Sequence, residues 1–106
     1  MRLVLTNVPP AHAERIARTV VEERLAACVN AFPVQSTYAW KGALSVDAEQ
    51  TLLLKVAADG VEALRARLLE LHPYELPEVV VLAVDVGASH EAYVNWVREG
   101  SRGNRG

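Results

Sequence analysis

The sequence lacks the features of secreted, membrane-spanning and disulfide-bonded proteins. It has one cysteine, Cys28, among 106 residues, so it can form no intrachain disulfide, and a reducing compartment is favoured. Its longest apolar run, 79–84, is far shorter than the roughly 20 residues of a membrane-spanning helix. The opening residues 1–5 have neither the length nor the cleavage site of a signal peptide. We therefore expect a soluble, cytoplasmic protein without a membrane partner.

The charge balance and the motif content exclude further classes. A net charge of −2 at pH 7 does not support a nucleic-acid-binding surface. The sequence has no glycine-rich phosphate loop and no nucleophile elbow, so we expect no enzymatic activity. With 51% hydrophobic and 23% charged residues, the chain is typical of one globular domain. We expect that domain over residues 1–99, followed by a flexible glycine- and arginine-rich tail at 100–106.

Hydrophobic periodicity predicts four strands and three helices. Lys41-Gly42 supplies a turn between the two middle strands, and the second of these is expected to loosen around 45–50. Asp59 and Glu62 have capping-box spacing, and Ser89 can cap the last helix. The order β-α-β-β-α-β with an extra C-terminal helix predicts an α+β, ferredoxin-like fold. The predicted strands are 2–8, 28–40, 44–57 and 78–86, and the predicted helices are 11–27, about 59–72, and one that begins near 89.

The two middle strands form a hairpin that one protomer cannot cover. The thirteen residues 28–40 extend roughly 40 Å in a strand, whereas a helix of about 17 residues covers about 25 Å. Pro33 marks either a bulge or a stretch of free edge. Exposed paired backbone beside Tyr38 and Trp40 invites pairing with another chain. We therefore predict an oligomer; the alternative is a strand that breaks at Pro33 and folds back as a loop.

Several segments resemble the CutA family of divalent-cation tolerance proteins. The match runs in order from about Leu3 to Val97. Two departures fall in structural segments: Ala83 replaces an expected proline, and 7–10 replaces a more acidic opening to the first helix. The segments that carry the resemblance are VEERLAACVN at 21–30, STYAWKG at 36–42, LHPYELPE at 71–78 and YVNWV at 93–97. The resemblance implies a ferredoxin-like fold, a tight homotrimer shaped like the PII signalling proteins, and a link to copper and other divalent metal ions.

Cys28 and His72 are the residue types that bind copper or zinc, and Glu78 or Glu75 could add a carboxylate. In the predicted topology the second and fourth strands start at opposite ends of the sheet. Cys28 and His72 would therefore share a metal only across a subunit interface. The alternatives are a buried structural cysteine, a histidine that bonds the last helical carbonyls, and solvated glutamates.

Five aromatic residues could line a cleft between subunits, although simple interface packing is the preferred interpretation. They are Tyr38, Trp40, Tyr74, Tyr93 and Trp96. The leading hypothesis is a non-enzymatic homotrimer of divalent-metal tolerance that binds copper weakly through Cys28, His72 and a glutamate such as Glu78. The alternatives are a PII-like sensor, which binds an anionic metabolite through Lys41 or Lys55, and a purely structural trimeric scaffold.

Overall fold

A computed structural model describes residues 1–102, and the predicted flexibility of 103–106 lies outside them. The chain forms one antiparallel sheet of four strands in the order β2-β3-β1-β4. This order confirms the predicted ferredoxin-like fold. The elements are β1 (Arg2–Val8), α1 (Pro10–Glu22), β2 (Cys28–Trp40), β3 (Ala43–Val56), a 3-10 turn (Ala58–Gly60), α2 (Val61–Leu71), β4 (Val80–Ala83) and α3 (Glu91–Gly100).

The first helix is shorter than predicted and ends at Glu22. Arg24 adopts a left-handed backbone conformation with φ of 59°. The Leu25 amide then donates to Val20 O at 2.8 Å, and the Arg24 amide donates to Val21 O at 3.0 Å. This is a Schellman ending, which glycine usually makes. The prediction of a helix to residue 27 was wrong because arginine gives no signal for such an ending.

The long hairpin is unbroken. Pro33 stays in register with Gln50, and β3 runs without interruption from Ala43 to Val56. The predicted loosening of 45–50 is therefore wrong. Of the two interpretations of Pro33, the bulge is excluded by this pairing, whereas a stretch of free edge agrees with the position of β2 at the edge of the sheet. Lys41 and Gly42 both have positive φ, 50° and 80°, as a two-residue hairpin turn requires.

One face of the sheet carries the hydrophobic core of the protomer. Side chains of α1 and α2, among them Ile16 and Leu64, are at most 1% exposed and pack on this face. Each fully buried aliphatic side chain contributes about 1.5–3 kcal/mol to folding. We call this the covered face; its sheet residues are Val4, Thr6, Val8, Leu52, Leu54 and Val56.

The opposite face of the sheet is also apolar, but α1 and α2 do not pack on it. We call it the open face, and its apolar residues are Leu3, Leu5, Leu53, Val80 and Leu82. Val80 is 44% exposed and Leu82 is 42% exposed. β4 is shorter than the predicted 78–86 and is exposed along its whole length. No helix of residues 1–102 is long and apolar enough to cross a membrane.

The ends of the helices differ from their predicted caps. Neither α2 nor α3 has a side-chain cap at its start, so the predicted roles of Asp59 and Ser89 were wrong. Ser89 instead donates to Asp85 O at 2.7 Å. At the far end, the helix continues through Gly100, and Ser101 is buried, with its hydroxyl accepting the Ala57 amide at 2.8 Å. The ordered chain thus extends beyond the predicted boundary at 99.

Candidate functional site

Cys28 and His72 lie at opposite ends of the sheet within one protomer. Cys28 is paired with Lys55, which is paired with Leu3 near the start of β1. His72 contacts the carbonyl of Asn7, near the end of the same strand. Four residues of strand separate those two levels, roughly 13 Å. This arrangement confirms the predicted separation within one protomer.

Both ring nitrogens of His72 already have partners in the chain. Nε2 lies 2.8 Å from the carbonyl of Asn7, and Nδ1 lies 3.2 Å from the amide nitrogen of Tyr74. A carbonyl only accepts and an amide N–H only donates, so the ring is neutral with its proton on Nε2. Burial lowers the pKa of His72, which supports the neutral form. A metal ion could bind this ring only by replacing one of these hydrogen bonds.

Cys28 lies beside a cation and two aromatic rings. Its Sγ is 4.0 Å from Lys55 Nζ. That ammonium lies 5.6 Å from the centre of the Tyr93 ring, which is stacked on Trp96 at 5.6 Å. The side chain of Cys28 projects from the open face, because its neighbours in register, Lys55 and Leu3, alternate with the core residues. Tyr93 and Trp96 therefore belong to the Cys28 end of the molecule.

Glu78 lies at the other end, in the exposed segment before β4 rather than inside a buried strand. Its Oε1 accepts from Asn7 Nδ2 at 3.2 Å, and Asn7 Oδ1 accepts the Thr51 hydroxyl at 2.6 Å. Asn7 thus connects Glu78, Thr51 and His72. Nowhere in residues 1–102 do three His, Cys, Asp or Glu side chains come close enough to hold a metal ion.

A pocket of about 610 Å³ opens between the tip of the hairpin and the segment after α2. We call it the tip pocket. It brings together three of the five predicted aromatic residues, Tyr38, Trp40 and Tyr74, and adds Glu78. The remaining lining residues are Asn7, Ser36, Thr37, Glu49, Glu75 and Leu76.

Glu49 is a functional candidate that the sequence analysis missed. It is only 7% exposed, and its Oε2 accepts the Tyr74 hydroxyl at 2.6 Å. Burial and this hydrogen bond raise the pKa of Tyr74. Nearby, the Tyr38 hydroxyl donates to Asp47, and this hydrogen bond raises the pKa of Tyr38. The available signal was the two-residue spacing of Asp47, Glu49 and Thr51, which places all three on one side of a strand.

Lys41 lies beside the tip pocket, because it pairs with the lining residue Glu75. Its Nζ lies 3.8 Å from Glu75 Oε2 and 5.7 Å from the centre of the Trp40 ring. Glu49, Glu75 and Glu78 line the pocket itself. The pocket therefore has more negative than positive charge.

Comparison with known proteins identifies the family. The family model described as CutA1 divalent ion tolerance protein matches residues 2–100. The divalent-cation tolerance protein CutA of Thermus thermophilus is 42% identical over 99 residues, which cover 92% of this chain and 94% of that protein. Human protein CutA is 44% identical over 88 residues; the match spans 82% of this chain but 48% of the human protein.

Solved structures agree with this assignment. A PII-like protein CutA from a Nostoc species superposes with a TM-score of 0.95 at 52% identity, covering 96% of this chain and 98% of that one. Pyrococcus horikoshii CutA superposes with a TM-score of 0.91 at 35% identity, covering 96% and 100%. The resemblance seen in the sequence and the PII-like fold are thereby confirmed, and the chain belongs to the CutA1 family of divalent ion tolerance proteins.

Proposed function

We propose that the protein acts in divalent-cation tolerance as a cytoplasmic homotrimer that binds copper weakly between subunits. The proposed role involves no catalysis. Membership of the CutA1 family supports the link to divalent cations, because the family and its relatives are described as divalent ion tolerance proteins. The open face of the sheet is the observation that supports the assembly.

The open face presents aliphatic side chains from three neighbouring strands. Val80 and Leu82 are more than 40% exposed, and they continue the row formed by Leu3, Leu5 and Leu53. A contiguous apolar surface of this kind is typical of an interaction site. Face-to-face packing of copies would remove it from water and would also cover part of the long edge strand β2.

A metal site shared between copies fits the positions of the three predicted ligands. The described residues of one protomer contain no cluster that could hold a metal ion. Cys28 projects from the open face, where a neighbouring copy would pack, and His72 and Glu78 lie at the opposite end of the sheet. A copper ion would join Cys28 of one copy to His72 and Glu78 of another. Binding would be weak because His72 must give up a hydrogen bond.

Light scattering and copper titration test this proposal together. Three copies of the 11.6 kDa chain give an expected particle of about 35 kDa. Copper should bind the wild type, and both Cys28→Ala and His72→Ala should weaken binding at least about tenfold, which is 1.4 kcal/mol. His90→Ala is the matched control, since His90 is exposed at the start of α3.

The outcomes separate the two parts of the proposal. A monomer in solution would refute the assembly. A trimer in which Cys28→Ala and His72→Ala both bind copper as the wild type does would refute the site. A trimer that binds no copper would leave the scaffold as the better interpretation.

A further inference from the structure

The tip pocket contains a carboxylate that is buried without a cation. Glu49 is only 7% exposed. In the described structure its Oε2 accepts a hydrogen bond from the neutral hydroxyl of Tyr74 at 2.6 Å. Oε1 accepts no hydrogen bond from the residues described, yet Glu49 lines the pocket. Burying a carboxylate is costly unless it is paired. A positively charged group in the pocket would supply the missing partner.

Aromatic rings form much of the remaining wall. Tyr38, Trp40 and Tyr74 line the pocket together with Leu76. The faces of such rings attract cations, by about 0.5–2 kcal/mol per contact, and also bury hydrocarbon. The combination of one buried carboxylate with several aromatic rings is suited to a ligand that has both a positive charge and an apolar part.

The charge of the pocket argues against an anionic ligand, and the ligand groups of residues 1–102 argue against a bare divalent ion. An anion would meet Glu49, Glu75 and Glu78, while Lys41 already pairs with Glu75 at 3.8 Å. A bare divalent ion requires several close ligands, and residues 1–102 contain no suitable group of three. The volume of about 610 Å³ lies within the range of about 300–1,000 Å³ that is usual for small-molecule sites.

We propose that the tip pocket binds a small organic cation, an ammonium or guanidinium compound, with its charge at Glu49 and its hydrocarbon against Tyr38, Trp40 and Tyr74. This binding activity goes beyond divalent-cation tolerance.

The proposed cation binding does not use Cys28. By the strand register Glu49 lies on the same side of the sheet as Leu53, so this inference rests on a proposed trimer that leaves the hairpin tip of the open face uncovered. Glu78 lines the pocket and is also a proposed copper ligand, so Cys28→Ala is the variant that separates the two sites.

Calorimetry with a matched pair of probes tests the proposal on the full chain. Putrescine and 1,4-butanediol share a four-carbon chain and differ in charge. Putrescine should bind, 1,4-butanediol should not, and added salt should weaken the binding of putrescine. Glu49→Gln keeps the shape of the side chain and should lower the affinity for putrescine at least about tenfold, or 1.4 kcal/mol. Glu62→Gln, an exposed change on α2, should bind putrescine as the wild type does.

A second variant protects the test against misfolding of Glu49→Gln. Trp40 is 39% exposed, so the Trp40→Ala variant should fold. Its affinity for putrescine should be several-fold lower than that of the wild type. Cys28→Ala should bind copper at least about tenfold more weakly and should bind putrescine as the wild type does, which separates this site from the copper site. The proposal fails if putrescine binds no better than 1,4-butanediol, or if Glu49→Gln and Trp40→Ala both bind it like the wild type.

Discussion

The two faces of the sheet have similar apolar content but different partners. The covered face packs against α1 and α2, and its residues Val4, Leu52 and Leu54 are fully buried. On the open face, Leu82 and Val80 remain more than 40% exposed in the single chain. The difference shows that an apolar strand pattern predicts a buried surface but does not say whether the same chain or another copy buries it.

The largest effect is expected on the covered face. Leu54→Ala removes a side chain that is 0% exposed, and a substitution of this kind costs about 2–5 kcal/mol because it leaves a cavity. Urea unfolding at a fixed protein concentration measures the loss of stability. Leu44→Ala is the control, since Leu44 is 77% exposed near the hairpin tip and should change stability by less than about 0.5 kcal/mol. Equal losses in the two variants would contradict the distinction between buried and exposed strand positions.

The next effect should appear on the open face as a change in assembly. Leu82→Glu places a charge among the apolar side chains that we propose to pack between copies, and burial of an unpaired charge is unfavourable. The dissociation constant of the trimer should rise at least about tenfold, while the circular dichroism spectrum of the folded chain stays unchanged. Sedimentation over a range of concentrations measures this. An unchanged trimer would show that copies do not associate through the open face.

His72 should affect stability in a pH-dependent way. The pKa of His72 is lowered in the folded state, so the unfolded chain takes up a proton first as the pH falls. Its contribution to stability is therefore complete above about pH 6.5, the ordinary value, and is lost as the pH falls toward the lowered pKa. His72→Gln should reduce stability by about 1–3 kcal/mol at pH 8 through the lost bonds to Asn7 and Tyr74.

The difference in unfolding free energy between the wild type and His72→Gln should become smaller as the pH is lowered. Denaturant unfolding between pH 8 and pH 5 measures it, and His90→Gln, an exposed change at the start of α3, is the control. A difference that stays constant over this range would exclude His72 as the group that titrates.

The smallest effect is expected from Thr6, a polar side chain that is fully buried on the covered face. Its Oγ1 is buried and has no hydrogen-bond partner in the described chain. Thr6→Val keeps the shape of the side chain and removes the unpaired hydroxyl, so it should stabilise the protein by up to about 1 kcal/mol. Differential scanning calorimetry would show a higher Tm. A marked loss of stability would mean that the hydroxyl is hydrogen-bonded in solution.

Local signals in the sequence predicted most of the elements but not their ends. Hydrophobic periodicity located the two middle strands, and Lys41-Gly42 located the turn between them. The end of α1 was missed because Arg24 adopts a conformation usually taken by glycine. Pro33 and the polar run after Ser45 suggested breaks that the continuous pairing of β2 with β3 overrides.

The candidate site was predictable only in part, because it is assembled from segments far apart in the chain. Tyr38 and Trp40 meet Tyr74 and Glu78 across the fold, whereas Tyr93 and Trp96 lie with Cys28 at the other end. Glu49 was missed because its importance comes from burial, and burial depends on what packs above a strand. His72 was proposed either as a metal ligand or as a histidine that bonds the last helical carbonyls, and its two partners in the same chain were not foreseeable from spacing.

The sequence by itself determined the ferredoxin-like order of elements and the family, because periodicity, turn residues and long signatures are properties of neighbouring residues. Only the tertiary structure decided which side chains meet. The register of the strands separates Cys28 from His72. The packing of Tyr74 against the hairpin leaves Glu49 buried beside aromatic rings without a cation. Distances, burial and hydrogen-bond partners between remote residues follow from packing, and packing is not a local property of the sequence.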